Sequence, residues 1–389
     1  MSNERGVALV VVLLVIALLS ITTVEFGFSA QVYTHMARNS LNGLQANLLA
    51  RSGINLGEAV LGFDEDPQVD AFSEEWCPAP TEDSCAIDAT QFGLPPNMLL
   101  RIEIFDESGK LNLNLTKPRN QNEYASKLED PTRFLLFDMW RMAFERLLEN
   151  EGVDPDAALR LYEYWETQIE AALGAGEDDA LELEDEEEAD LDDEDEDDEP
   201  AGSRIFATLD FATLDDANAV IGLPSDQLRR LRRVLTAAAG VTRVNANTAP
   251  REVLLAIIGD EGLVEDIIAR RLDLPMQTSE ITSLVPPVSV GEGIPDPRRM
   301  LHGRSNIFRI AASGVVNPNP VTGRGGIGRS ASLLVRRRQS RIANVGREAS
   351  IAWTFTRLDW QKEGGALLFE ERRDDEDRPT SIERDSRFF

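Results

Sequence analysis

The 389-residue chain contains only two histidines and two cysteines, so it has few of the side chains that most often carry catalysis or bind transition metals. His35 and His302 are far apart in the sequence, and neither a Gly-x-Ser-x-Gly elbow nor a His-Glu-x-x-His helix motif occurs. The many carboxylates form no pair with an evident catalytic geometry. These absences favour a structural or binding role over an enzyme.

Basic residues are scarce relative to acidic ones, with 39 Lys and Arg against 69 Asp and Glu and a formal net charge of -30. Such a surface repels a phosphate backbone, so nucleic acid is not expected as a partner. From Glu177 to Glu199 the chain is nearly all Asp and Glu, with no basic residue. Because this run repels itself and offers little apolar surface to bury, it predicts a disordered insertion.

Cys77 and Cys85 lie in a loop-like stretch that is rich in proline and acidic residues. If this part of the chain lies outside the cytoplasm, a disulfide bond could close the short loop between them. Two unrelated thiols are the alternative. The spacing fits no zinc pattern, and no histidine lies nearby in the sequence.

Charge is absent from Val7 to Val24, an unbroken run of apolar and small residues. About 18 such residues are the lower limit for a helix that spans a bilayer. The polar residues before this run, Met1 to Gly6, end in glycine, whereas the residues after it fit a secretory cleavage site poorly. The arrangement resembles a prepilin leader, which implies that a prepilin peptidase cuts between Gly6 and Val7 and that the helix is retained. A plain membrane anchor is the alternative.

Beyond the apolar run, the pattern predicts that the same helix continues outward as an amphipathic stalk. Four apolar residues fall near one helical stripe: Leu41, Leu44, Leu48 and Val60. Next, residues 99–105 alternate like a strand, 106–110 have turn chemistry and 111–115 alternate again, which predicts a β-hairpin.

The hydrophobic period then changes to that of helices. Helices are predicted at 134–148, at 155–169, twice within 211–239 on either side of a break at 222–224, at 248–258 and at 261–272. Extended segments follow at 307–316, 332–338 and 349–357. This order of strand, helices and strands predicts an α+β fold in which a helical domain is inserted into a sheet domain.

Two short motifs carry a specific resemblance. The segment from Asp106 to Asn114 is similar to a DExGKxNxN signature, and the segment from Val244 to Leu254 is similar to an xNxNTAPxxVL element. Both belong to the type II secretion system protein K family, also called minor pseudopilin K or general secretion pathway protein K, and they occur here in the family's order. The positions that match, hereafter the motif residues, are Asp106, Gly109, Asn112, Asn114, Asn245, Asn247, Thr248 and Pro250.

The family also resembles this chain in lacking a charge near the start of the apolar run. Most pilins carry a glutamate at the fifth mature position, and counting from Val7 places Val11 there. A carboxylate in an apolar segment is costly unless it pairs, for instance with the terminal amine of a neighbouring subunit. A subunit with nothing above it has no such amine to reach, so an apolar residue is favoured.

The resemblance implies a pilin-like fold, in which a long N-terminal helix packs on an antiparallel sheet and an all-α domain is inserted between the strands. It implies a minor pseudopilin at the tip of the periplasmic pseudopilus, which initiates assembly and supports protein export across the outer membrane. The implied partners are minor pseudopilins I and J, the major pseudopilin and prepilin peptidase. The implied location is the inner membrane, crossed once, with the N-terminus cytoplasmic and the bulk of the chain periplasmic.

The expected domain layout follows from these patterns together. The N-terminal part consists of a prepilin leader at 1–6, a transmembrane helix at 7–24 and a periplasmic stalk helix at 25–62. The sheet domain has a first part at 63–129 and a second part at 301–365, and between them lies an inserted α-helical domain at 130–300 that contains the acidic insertion at 177–199. A charged flexible tail follows at 366–389.

The resemblance further implies calcium in the helical domain, because the family binds it there. The matching stretch is loose in this chain, and its candidate ligands are Glu177, Asp178 and Asp179. Carboxylate oxygens suit calcium, but the same residues begin the acidic run and could equally be solvated charges.

Two other classes of protein share parts of this pattern. A minor pilin of a type IV pilus has the same type of leader, although the two motifs argue against it. The segment 245–249 also resembles the opening of helix-hairpin-helix modules in DNA-uptake proteins, whose hairpin amides meet phosphate. Here Asp260 and Glu261 occupy the would-be phosphate site, which disfavours DNA binding.

Overall fold

The computed structural model describes residues 4–64, 66, 68–74, 76–81, 83–179, 206–286, 296–318, 326–341 and 351–361. Most of the expected disordered insertion, residues 180–199, lies outside the described residues, as do leader residues 1–3 and the expected tail at 366–389.

The chain begins with one uninterrupted helix, α1, over Glu4–Leu61. From Leu9 to Met36 every apolar side chain on it is exposed. By length and composition this helix could cross a membrane. Within the described residues, only the last part of α1 packs against other segments, and there its buried residues include Ala46, Ala50 and Ile54.

The buried face of α1 differs from the predicted stripe. Val60 is buried, but Leu41, Leu44 and Leu48 are exposed, so these three leucines lie outside the face that packs on the sheet. The face that meets the sheet instead carries small residues, among them Gly53. Small residues allow the helix backbone to approach the strands closely, whereas leucines at those positions would hold it away.

α1 packs on a five-stranded antiparallel sheet with the strand order β1-β2-β7-β8-β9. The strands are β1 Cys85–Asp88, β2 Met98–Asp106, β7 Ile307–Val316, β8 Ile327–Arg341 and β9 Ile351–Gln361. The alternation at 99–105 correctly predicted β2. A hydrophobic core between α1 and the sheet contains Ile54, Ile102 and Ile310.

The chain between β2 and β7, hereafter the helical unit, has its own hydrophobic core around Trp140, Phe144 and Trp165. Its helices are α2 Gln121–Glu129, α3 Leu136–Asn150, α4 Asp156–Asp179, α5 Leu214–Ile221, α6 Ser225–Leu231, α7 Arg251–Ile258, α8 Glu261–Asp273 and α9 Thr278–Leu284. The patterns predicted all of these except α2 and α9. α2 has no buried residue and α9 has one, so neither carries a strong apolar period.

The predicted β-hairpin after β2 is wrong. Residues Leu111–Asn112 form a short strand, β3, that pairs in parallel with β4, Leu235–Thr236. β2 instead pairs with β1 and β7. A 3-10 turn at Glu107–Gly109 directs the chain out of the sheet and into the helical unit. A second short parallel pair joins β5, Val244–Asn245, to β6, Leu301–His302.

Candidate functional site: a buried polar junction and an exposed apolar helix

The two motif segments lie together where the helical unit leaves and rejoins the sheet. Asp106 ends β2 and Asn245 ends β5, and the two side chains are within hydrogen-bonding distance, with 3.3 Å between Asn245 Nδ2 and Asp106 Oδ2. Six motif residues have buried polar side chains: Asp106, Asn112, Asn114, Asn245, Asn247 and Thr248. Together with their partners they form what we call the polar junction.

Asp106 is the centre of the polar junction. Its carboxylate accepts hydrogen bonds from the Ser108 backbone N–H at 2.8 Å, from Thr248 Oγ1 at 2.5 Å and from the Ser305 hydroxyl. Burial raises the pKa of Asp106 above its ordinary value, and these hydrogen bonds offset only part of that effect. The carboxylate thereby ties β2, the β5–α7 segment and the start of β7 to one point.

Glu107, the next residue, has three buried contacts of its own. It accepts from Lys110 Nζ at 2.8 Å, from Arg309 Nε at 2.9 Å and from Thr236 Oγ1 at 2.5 Å. Burial by itself would raise the pKa of Glu107, but the charges of Lys110 and Arg309 outweigh it and lower the pKa to about 2. Glu107 is therefore a buried carboxylate that is fully ionised at neutral pH.

Asn112 and Asn114 are buried, although their alternating pattern is also typical of outward-facing positions. Asn112 Nδ2 donates to the carbonyls of Ala238 and Val241 at 3.1 and 2.8 Å. Asn114 Nδ2 donates to the carbonyls of Phe211 and Ala237 at 3.1 and 3.0 Å. These amides bond to backbone carbonyls of distant segments, in keeping with the rule that buried polar groups need partners.

The asparagines of the second motif likewise donate hydrogen bonds to distant segments through their side-chain amides. Asn245 Nδ2 donates to the Asp70 carbonyl at 2.8 Å and to Ser305 Oγ at 2.7 Å. Asn247 Nδ2 donates to the Met276 carbonyl at 2.9 Å, and its Oδ1 accepts from the Met276 N–H at 3.0 Å. The motif asparagines therefore act as cross-links between segments that are distant in the sequence.

Gly109 and Pro250 have steric roles at the same place. A Cβ atom on Gly109 would lie 2.8 Å from Thr248 Oγ1, so the two motif segments can approach this closely only with glycine there. Pro250 immediately precedes α7 and has a φ of -55°. Proline suits a helix start because it has no N–H to leave unpaired.

Sequence patterns did not indicate the guanidinium of Arg337, which is buried beside the polar junction. It forms ion pairs with Asp64, at 2.8 Å, and with Asp70. The Trp353 ring centroid lies 4.2 Å from its Cζ atom. Burial raises the pKa of Asp70 well above its ordinary value despite this pairing. No local signal reveals such a residue, since an arginine in a strand normally predicts an exposed position.

The structure joins Cys77 and Cys85 by a disulfide bond, with 5.3 Å between their Cα atoms. Both cysteines are buried in the core between α1 and the sheet, together with Trp76. The bond therefore closes the short loop before β1 and holds it against the sheet.

The candidate calcium ligands lie at the end of α4. Glu177, Asp178 and Asp179 belong to this helix, so the first three residues assigned to the disordered insertion are helical. Their side chains lie outside what the structure describes. Among the described residues, no group of three or more His, Cys, Asp or Glu side chains is arranged to hold a metal ion.

The connection between α7 and α8 does not resemble a phosphate-binding hairpin. Asp260 caps α8 by accepting from the Leu263 N–H at 3.0 Å, and Glu261 forms an ion pair with Arg251 at 2.5 Å. The Asp260 carboxylate thus occupies a backbone amide of the kind that a phosphate would need, and Glu261 adds a second negative charge nearby. Asn245, Asn247 and Thr248, which suggested such a module, are buried in the polar junction.

The other feature of functional interest is the exposed first part of α1. Val11 is 55% exposed, and no acidic residue occurs between Glu4 and Glu25. Gly6 and Val7, which flank the predicted cleavage site, are both helical. An exposed apolar surface of this length is typical of a segment that a bilayer or other apolar helices cover.

No family model matches the sequence, and no curated protein matches it. Among solved structures, the chain is similar to the crystal structure of the GspK-GspI-GspJ complex from the type 2 secretion system of enterotoxigenic Escherichia coli. The TM-score is 0.49 at 15% sequence identity, and the alignment covers 85% of this chain and 100% of the other. A likeness of this degree assigns no role to any residue of this chain.

Proposed function

We propose that this chain is a minor pseudopilin at the tip of the periplasmic pseudopilus of a type II secretion system. In this role it initiates assembly and supports protein export across the outer membrane. The observation that carries the proposal is α1, a single helix whose apolar first part is exposed and free of acidic residues up to Glu25 and whose last part packs on an antiparallel sheet. The role is structural rather than catalytic.

The exposed part of α1 first spans the inner membrane once, with its N-terminus cytoplasmic and the sheet and helical unit in the periplasm. Arg5 favours this orientation, since basic residues stay on the cytoplasmic side. Prepilin peptidase then cuts between Gly6 and Val7. The same helix surface packs later against the helices of other subunits, because both environments are apolar.

The position at the tip follows from Val11. A glutamate there would need a cationic partner within the apolar segment, such as the terminal amine of the next subunit. This chain has no carboxylate with which to make that contact, so it does not dock beneath another subunit. It enters first and recruits minor pseudopilins I and J, and the major pseudopilin follows.

The polar junction suits a subunit that must present the helical unit in one orientation. Asp106, Asn245 and Ser305 belong to separate segments at the exit and entry of that unit, and they are bonded directly to one another. A cross-linked junction resists hinge motion better than a single flexible connection does. The helical unit would then keep one position beside the surface of α1 and the sheet that minor pseudopilins I and J meet.

The decisive experiment is immunogold labelling of pseudopili assembled with an epitope-tagged full-length chain. We expect gold at one end of each fibre, in few copies, and co-purification of minor pseudopilins I and J with the tagged chain. Val11→Leu, which retains an apolar residue, should behave like the wild type. Labelling along the whole fibre would exclude the tip position, and co-purification with type IV pilus components instead would favour the minor-pilin alternative.

A further inference from the structure

A cleft of about 640 Å³ opens between the sheet and the helical unit, next to the polar junction. The helical unit contributes Arg243, from the segment before β5, and Gln277, from the start of α9. His302 and Arg304 come from β6 and the segment after it, and Gln339 and Trp353 come from β8 and β9. The cleft is therefore built from segments that only the folded chain brings together.

The free charge of this cleft is positive. Arg243 and Arg304 are exposed, and within the described part of the chain neither guanidinium forms an ion pair or donates a hydrogen bond. Among the residues that the structure describes, the one carboxylate that lines the cleft, Asp70, is paired with the buried Arg337. Two guanidinium groups without an ion-pair partner at the same cleft favour an anionic ligand.

The His302 ring lies close enough to Arg243 and Arg304 for both positive charges to affect its pKa. The pKa of His302 is lowered to about 4, mainly by burial; the hydrogen bond with the Arg243 carbonyl opposes this, and the charges of Arg243 and Arg304 add to the lowering. The ring is therefore neutral at physiological pH, and it lies 3.0 Å from the Arg243 carbonyl through Nε2. The positive potential of the cleft thus comes from the arginines.

The size and lining of the cleft favour a peptide over a small anion. Phosphate or sulfate would fill only part of about 640 Å³. The side-chain amides of Gln277 and Gln339 in the lining can hydrogen-bond to peptide groups. Trp353 is half-buried and supplies an apolar surface. Arginine is well suited to carboxylates because its planar group donates two parallel hydrogen bonds.

We propose that this cleft binds a carboxylate-rich peptide segment of a partner protein, with Arg243 and Arg304 pairing with its acidic side chains. The proposal is independent of the secretion role. The chain's own acidic run at 180–199 has the same chemistry and is tethered to the same molecule, which gives it a high effective concentration. A test must therefore separate a partner's segment from this run.

Binding is measured by fluorescence anisotropy of a labelled oligoglutamate peptide with the full-length chain in detergent micelles. We expect the wild type to bind it and not to bind an oligoglutamine peptide. Arg243→Gln together with Arg304→Gln should weaken binding roughly tenfold or more, since one lost charge pair of about 1.4 kcal/mol corresponds to a tenfold change. Gln339→Glu, which adds a negative charge to the lining, should weaken it without removing an arginine.

The matched control is Arg230→Gln together with Arg233→Gln, which removes the same charge from exposed positions on and just after α6. This control should bind as the wild type does, and equal losses in the two double variants would overturn the proposal. Competition by inorganic phosphate at the concentration of the peptide's carboxylates would overturn it in favour of a small-anion site. Binding that appears only after deletion of residues 180–199 would show that the chain's own run occupies the cleft and would overturn the partner assignment.

Discussion

Gly53 of α1 lies directly over Ala312 of β7, so closely that a Cβ atom at residue 53 would come within 2.8 Å of the Ala312 Cβ. Gly57, one turn later, approaches Ile310 on the same strand in the same way. These two glycines set the distance between the helix and the sheet, and this distance decides which face of α1 is buried.

Replacing Gly53 with valine should lower the free energy of unfolding by about 1–3 kcal/mol, because the added side chain overpacks the contact with β7. Chemical denaturation of the full-length chain in detergent, followed by near-UV circular dichroism, measures the change. The matched control is Gly27→Val, since nothing lies within 4 Å of a Cβ there. Valine has a higher helix propensity than glycine, so Gly27→Val should not destabilise the protein, and an equal loss in the two variants would contradict the packing explanation.

Replacing Asn114 with leucine should destabilise the protein by about 3 kcal/mol or more. The substitution leaves the carbonyls of Phe211 and Ala237 and the Phe211 N–H without their partner, and each unsatisfied buried group costs about 1–3 kcal/mol. Asn150→Leu, at an exposed position at the end of α3, serves as the control and should change stability little. A stable Asn114→Leu variant would show that the junction does not depend on this cross-link.

The stabilising contribution of Glu107 should depend on pH. Its pKa in the folded protein is about 2, below the ordinary 4.5, so the contribution is fully present above pH 4.5 and is lost as the pH falls towards 2. We expect the wild type to be more stable than Glu107→Gln by about 3 kcal/mol at neutral pH and expect this difference to shrink across that interval. Denaturation of both proteins from pH 6 downwards tests this, and a difference independent of pH would contradict it.

The predicted cleavage of the leader can be tested by determining the N-terminus of the mature protein. N-terminal sequencing of the protein from membranes should begin at Val7, because the predicted cut follows Gly6. Gly6→Val should block processing, whereas Asn3→Ala, which leaves the glycine in place, should not. Recovery of a chain that begins at Met1 from cells with active prepilin peptidase would exclude the prepilin interpretation and favour a plain anchor.

Calcium binding at Glu177, Asp178 and Asp179 stays a prediction. If these carboxylates bind the ion, millimolar calcium should raise the melting temperature of the wild type but not of a variant with all three changed to their amides. A calcium effect that is unchanged in the triple variant would exclude these ligands.

Deletion of 180–199 alone should change the melting temperature by less than about 5 °C, because a self-repelling run adds no core.

Several elements with a strong local pattern were correctly predicted from the sequence. The uncharged run after Gly6 predicted a helix, alternation predicted β2, and the apolar period around Trp140 and Trp165 predicted α3 and α4. Each of these signals lies within one element. A helix of α1's apolar composition needs no tertiary contact to form its backbone hydrogen bonds.

The tertiary structure alone decided the pairing of β3 and the burial of the motif residues. Leu111 pairs with Leu235, and Asn112 and Asn114 bond to carbonyls beyond residue 210, at separations that no local period encodes. For the same reason, the local sequence of asparagines alternating with leucines is the same whether the asparagines face water or cross-link a core. The position of Arg337 between Asp64 and Asp70 depends on the same long-range register. Local periodicity determines which element forms, whereas the partner of a buried polar group is determined only when distant segments close on one another.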